Sequence, residues 1–128
     1  MRALGLVGSG GRYSIRSETH WARVGFQKSA YSDRQEIRFT VSLLVVSRAR
    51  WDRLRGEKPH FGAEPSATIT YGPPVLTARI GLLSADQEDK WWRVGLDHDM
   101  DSVAREVMSD VQFVGLPWLR EGIGLPDS

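Results

Sequence analysis

The sequence predicts an α+β fold, an antiparallel sheet of about five strands with a C-terminal helix packed on one face. Residues 36–46 alternate apolar and polar side chains, and shorter alternating stretches lie on either side of them. Residues 100–114 instead place their apolar side chains at helical spacing. Strands in succession followed by one amphipathic helix give this architecture.

Met1 to Gly11 reads as a flexible entry, with Gly8-Ser9-Gly10-Gly11 as a turn. Arg12 to Ile15 alternates as a half-buried strand, and Ser17-Glu18-Thr19 makes the hairpin to the next. From His20 to Lys28, Ala22, Val24 and Phe26 share one face, while Trp21, Arg23 and Gln27 share the other. Ile37, Phe39, Val41, Leu43 and Val45 define the clearest strand, whose second face turns apolar at Leu44 and Val46. That places it centrally in the sheet. Residues 48–55 suggest a short helix, and Gly56, Pro59, Gly62 and Pro65 a loop after it. Ala67 to Tyr71 and Leu76 to Leu82 read as strands, Ser84 to Lys90 as a polar turn, and Trp91 to Val94 as the last strand. Met100, Val103, Ala104, Val107, Val111 and Val114 line the helix, with Asp97 or Asp99 as cap and Gly115 and Pro117 ending it. Residues 118–128 follow as a tail.

A chain of 128 residues fits a single α+β domain, and 41% hydrophobic with 26% charged residues is ordinary for one. Cysteine is absent, which excludes disulfides, thiolate metal sites and cysteine nucleophiles. The apolar stretch in Met1–Gly8 is too short for a secretory signal, and no run approaches the ~18 residues of a membrane span. A soluble cytoplasmic protein without a membrane partner is expected. The net charge of +1 hides an asymmetry: residues 1–64 hold 12 Lys and Arg against 6 Asp and Glu, and the remainder hold 5 against 10. Halves that fold together neutralise one another; separate partner surfaces are the other reading.

No assembled chemistry is evident. Gly8 to Arg12 lacks the following helix and the Gly-Lys-Ser/Thr of a phosphate loop. Asp97-His98-Asp99-Met100-Asp101 opens like a calcium loop, but Ser102 and Met108 stand where glycine and a bidentate glutamate belong. His20, His60 and His98 sit on separate elements. No catalytic residue, metal or cofactor is therefore expected. Arg48, Arg50, Trp51, Arg53 and Arg55 form the one basic cluster with an aromatic residue. Either the arginines hold phosphates while the indole stacks on a base, or Trp51 and Leu54 dock the helix and the arginines face water.

Val24-Gly25-Phe26-Gln27-Lys28-Ser29, Phe39-Thr40-Val41-Ser42-Leu43, Arg79-Ile80-Gly81 and Asp89-Lys90-Trp91-Trp92 occur in that order. Together they resemble a bacterial family, domain of unknown function 4304, over about Gly5 to Pro117. The family carries no established activity, so the resemblance implies fold more than function. It implies that Arg79 and Asp89 pair across a turn and that Trp91 and Trp92 point to opposite faces. Trp21, Arg23, Gln27, Arg79, Asp89 and Trp91 then make the candidate binding surface, or else a satisfied polar layer. The resemblance implies a helix ahead of the Leu4-Gly5-Leu6 entry, and this sequence starts almost at that entry, so the expectation is either that the N-terminal helix is missing or that the start codon was placed late. Several hundred Å2 of uncovered sheet would cost on the order of 10 kcal/mol. The expectation is self-association over that face, or compensating packing by Trp118 to Leu125.

The expected function is a small, non-enzymatic bacterial protein-interaction module, and the resemblance suggests a role accessory to conflict or stress systems. Its partner would be a protein, including a second copy of itself as a homo-oligomer. The alternative is nucleic-acid binding through the Arg48–Arg55 segment. A third reading assembles an enzymatic site from Gln27, Arg79 and Asp89.

Overall fold

The computed structural model describes residues 4–29, 36–83, 87–95 and 100–125. Within them the chain forms a six-stranded antiparallel sheet with helices on both faces. The strands are β1 (Val7–Ser9), β2 (Arg12–Ile15), β3 (His20–Lys28), β4 (Glu36–Ser47), β5 (Leu76–Arg79) and β6 (Trp92–Gly95). The helices are α1 (Arg48–Glu57), α2 (Met100–Asp110) and α3 (Leu116–Gly124).

β4 is the spine. It pairs with β3 from His20↔Ser47 to Lys28↔Phe39. Its other edge is shared, β6 running beside Glu36–Phe39 and β5 beside Ser42–Val45. The strict alternation of its first half and the apolar second face of its last third match the two layers built on it. On one face Val41, Leu43 and Val45 join Ala22 and Val24 beneath Val107, Val111, Leu116 and Leu119. On the other, Leu44 and Val46 join Trp51, Ala67 and Val75.

The structure departs from the expected elements in four places. Gly10-Gly11 is the two-residue turn of a β1–β2 hairpin, with Ser9 opposite Arg12 and both glycines at positive φ. Such a turn matches strand twist, so part of the presumed flexible entry is sheet. Residues 67–71 are not a strand but lie folded over the outer face, where Ala67 joins the core and Tyr71 Oη accepts from the Ser66 N–H at 3.0 Å. β5 stops at Arg79, because Ile80–Leu83 winds into a 3-10 turn that buries Ile80.

Finally, Gly115 and Pro117 do not end the helix. A π turn at Val111–Gly115, with the Leu116 N–H bonded to the Val111 carbonyl, carries α2 directly into α3. A widened turn spares the Pro117 ring the clash with the carbonyl four residues back. Residues 118–124, expected as tail, are therefore helical, and Leu116 and Leu119 pack on the sheet. Trp118 and Ile123 of this segment pack against the same core. Asp97, His98, Asp99 and the first residues of the Ser84–Lys90 turn lie outside the described residues. No described helix is long and apolar enough to cross a membrane.

One ion-pair cluster ties the sheet to α2. Lys90 Nζ lies 2.7 Å from Glu106 and 2.9 Å from Asp110. Burial opposes the Lys90 charge, but hydrogen bonds and attraction from both carboxylates outweigh it and raise its pKa above 10.5. The hydrogen bond from Lys90 holds Glu106 below its ordinary 4.5, against the opposing effect of burial. A depressed carboxylate stabilises the fold above its unfolded pKa, and the contribution vanishes as pH falls through the folded value. The Lys90 contribution is complete below its unfolded pKa and is lost as pH rises through the raised one. Lys90→Met should lower urea stability at neutral pH by at most about 1 kcal/mol, since the carboxylates are partly exposed. It should also flatten the acid-side decline below pH 4.5. An unchanged slope of stability against pH between about pH 3 and 5 would show that the cluster contributes nothing.

Candidate functional site

The outer face of the sheet carries the polar positions of the period-two strands. Trp21, Arg23, Gly25 and Gln27 of β3 stand beside Val46, Leu44, Ser42 and Thr40 of β4. Thr77 and Arg79 of β5 continue the rows from Leu44 and Ser42. α1 and the loop behind it close over the Leu44–Val46 end. The N-cap of α1 is the Ser47 hydroxyl, which accepts from the Arg50 N–H at 3.1 Å. Trp51, one turn in, is wholly buried: it stacks on Phe61, meets Tyr71 edge-on, and donates from Nε1 to the Ala63 carbonyl at 3.2 Å.

The loop continues across the face at Gly25. A Cβ there would sit 3.1 Å from Ala67 and 3.2 Å from Thr68, so the missing side chain is what admits the loop. This crossing divides the candidate surface in two. Trp21 and Arg23 lie on one side; Gln27, Arg79, Asp89 and Trp91 lie on the other.

On the second side is an open groove of about 360 Å3, lined by Gln27, Ser42, Thr68, Thr70, Thr77 and Arg79. The Ser42 hydroxyl donates to Gln27 Oε1 at 3.3 Å. At one end Arg79 Nη1 donates to Asp89 Oδ2 at 2.6 Å, and Trp91 Nε1 donates to the same oxygen at 3.0 Å. The Arg79 guanidinium also lies 5.4 Å from the Trp91 ring centre. This arginine–aspartate–tryptophan cluster is half exposed. It is set by alternation along 89–92: Asp89 and Trp91 turn outward, while Lys90 and Trp92 reach the helix side. Thr40, buried, fixes the chain there by donating from its hydroxyl to the Lys90 carbonyl at 2.7 Å.

On the first side Trp21 is flanked by two guanidinium groups, Arg48 at 3.9 Å and Arg23 at 4.8 Å from its ring centre. Arg23 pairs with Glu64 and donates to the Pro65 carbonyl at 2.8 Å. Arg48 donates to the Ser17 carbonyl at 2.8 Å. A hollow of about 490 Å3 lies beside them.

The basic segment does not form one surface. Trp51 is interior and cannot stack on a base. Arg48 leaves the helix for Trp21, Arg55 faces Asp52 at 3.8 Å, and Arg50 and Arg53 flank Pro74 on the opposite side. Among the described residues no three His, Asp or Glu side chains converge as metal ligands.

Ser42, Thr68, Thr70 and Thr77 line the groove without being among the site residues the sequence suggests. Ser42 and Thr77 follow from strand register once Gln27 and Arg79 are paired through β4. Thr68 and Thr70 alternate with Ala67, Ile69 and Tyr71 as in a strand, but the segment folds as an irregular loop, so that spacing does not report their place in the groove.

No curated protein and no solved structure matches the chain. The family model described as Domain of unknown function (DUF4304) matches residues 1–121, spanning both hollows and all six strands. The chain belongs to that family.

Proposed function

We propose that the protein is a non-enzymatic interaction module that receives a segment of a protein partner in the groove between Gln27 and Arg79. The carrying observation is the groove itself, an uncovered hollow of about 360 Å3 whose lining mixes hydroxyl, amide and guanidinium groups with the apolar side chains of Ala67, Ala78 and Leu82. Such a floor satisfies a polar peptide backbone. Exposed apolar side chains add contact: Leu82, in the lining, and Ile69, between Thr68 and Thr70, are 48% and 51% exposed. Arg79 and Trp91 are of the residue types that carry binding energy at interfaces. Pre-ordering by Asp89 reduces the entropy lost when a partner fixes them. The same bonds commit the Asp89 carboxylate to structure and oppose a role for it in catalysis. β5 adds an outer edge without a strand partner among the described residues. A chain without cysteine suits the reducing cytoplasm.

The test is affinity capture from the native host with photo-crosslinkers at Thr70 and, as control, at Arg105 on α2. The Thr70 probe should trap one protein that the Arg105 probe does not. Arg79→Ala and Trp91→Ala should each weaken that complex about tenfold or more. Equal labelling from both positions, or a complex indifferent to both substitutions, would refute the groove as the site.

A further inference from the structure

Trp21 and Arg23 of β3 and Arg48 of α1 come from different parts of the chain and meet at the hollow near the β2–β3 turn. We propose that this hollow binds a carboxylate presented by an acidic segment of a partner protein. Among the described residues three guanidinium groups line it, those of Arg16, Arg23 and Arg48, with Ser17 and Trp21 between them. The Trp21 ring holds two of the three in place, Arg48 at 3.9 Å and Arg23 at 4.8 Å. A planar fork already fixed on an aromatic face loses little freedom when it takes a carboxylate.

Donors outnumber acceptors here. Nε of Arg23 and Nε of Arg48 are both buried without an acceptor among the described residues. Arg16 is exposed and enters no ion pair among them. Against these, among the described residues, stand two carboxylates, Glu18 and Glu64. Glu64 identifies the chemistry: it is a carboxylate from an irregular loop, seated on Arg23, with its side chain 56% exposed. An exposed pair contributes little and exchanges readily, so Glu64 acts as an internal occupant that an incoming carboxylate displaces. With Glu64 displaced, Glu18 is the one acid among the described lining residues against Arg16, Arg23 and Arg48.

This assignment rests on its own residues, because the loop over Gly25 separates the hollow from the Gln27–Arg79 groove. The probe is a fluorescein-labelled tetraglutamate peptide followed by anisotropy at low ionic strength. Arg48→Gln should weaken binding about tenfold, as expected for loss of a charge-assisted hydrogen bond. Arg16→Gln, at an exposed position where folding is not at stake, should weaken it about threefold. Glu64→Gln should strengthen it about threefold by removing the competitor. Arg79→Gln should leave it unchanged, which separates this site from the groove. Added salt should weaken binding throughout. A tetraglutamine peptide that binds equally well would overturn the proposal. So would Glu64→Gln that fails to strengthen binding, or inorganic phosphate that displaces the peptide at equal concentration.

Discussion

Trp51→Ala is expected to destabilise the protein by about 4 kcal/mol, the range for truncating a large buried aromatic side chain. Trp51 has no exposed surface and lies at the centre of the smaller core, against Leu44, Val46, Ala67 and Val75. The stacked contact with Phe61 and the edge contact with Tyr71 go with it, at centroid distances of 5.4 and 4.9 Å. The Ala63 carbonyl also loses its donor. Each loss falls on the loop that crosses the outer face, so the effect is not confined to stability. That loop supplies Thr68 and Thr70 to the groove and Glu64 to the arginine hollow. Trp51→Phe should restore most of the stability, since it refills much of the volume, while leaving the Ala63 carbonyl unpaired. Urea denaturation measures both. A midpoint for Trp51→Ala within error of the wild type would mean that this second layer does not hold the loop.

How much of this was legible follows from which residues repeat. β3, β4 and α2 were readable because period two and helical spacing report directly which side chains are buried. The apolar pair Leu44 and Val46 even announced the second layer, and the spacing of Trp51 and Leu54 offered a helix to fill it. The lid over that helix was not readable. Phe61, Tyr71 and Val75 sit among glycines and prolines, where no period links them, and only the folded loop brings them to Trp51. The continuation of α2 through Gly115 was missed for the opposite reason. Glycine followed by proline normally stops a helix, and a π turn that accommodates both leaves no mark in the pattern.

The candidate surface was legible residue by residue but not as a shape. Alternation placed Trp21, Arg23 and Gln27 on one face, and that much holds. It could not show that a loop passes between Arg23 and Gln27, because the permissive residue, Gly25, speaks only when its neighbour in space is known. Nor could it move Arg48 from a basic helix to the Trp21 ring, a contact between residues 27 apart in sequence. The division into two hollows is thus a property of the tertiary fold alone.

Gly81→Ala is expected to cost about 3 kcal/mol, at the upper end of what overpacking does, and to disturb the groove more than its distance from Gln27 suggests. The added Cβ would stand 2.5 Å from the Lys90 backbone nitrogen and still closer to the Glu88 carbonyl. Both are main-chain atoms, so no side chain can rotate away to make room. The segment 88–90 must move, and with it two sets of contacts. On the outer face Asp89 leaves Arg79 and Trp91; on the inner face Lys90 leaves Glu106 and Asp110. The Thr40 hydroxyl, buried beneath, loses the Lys90 carbonyl and becomes an unsatisfied donor. Asp89→Asn separates the two consequences: it weakens the outer cluster and leaves the backbone where it is. Gly81→Ala should therefore lower both the urea midpoint and affinity for a groove-bound partner, whereas Asp89→Asn should lower affinity with little change in midpoint. If the two variants proved equally stable, the close approach of Gly81 to the 88–90 backbone would not be what positions Arg79, Asp89 and Trp91.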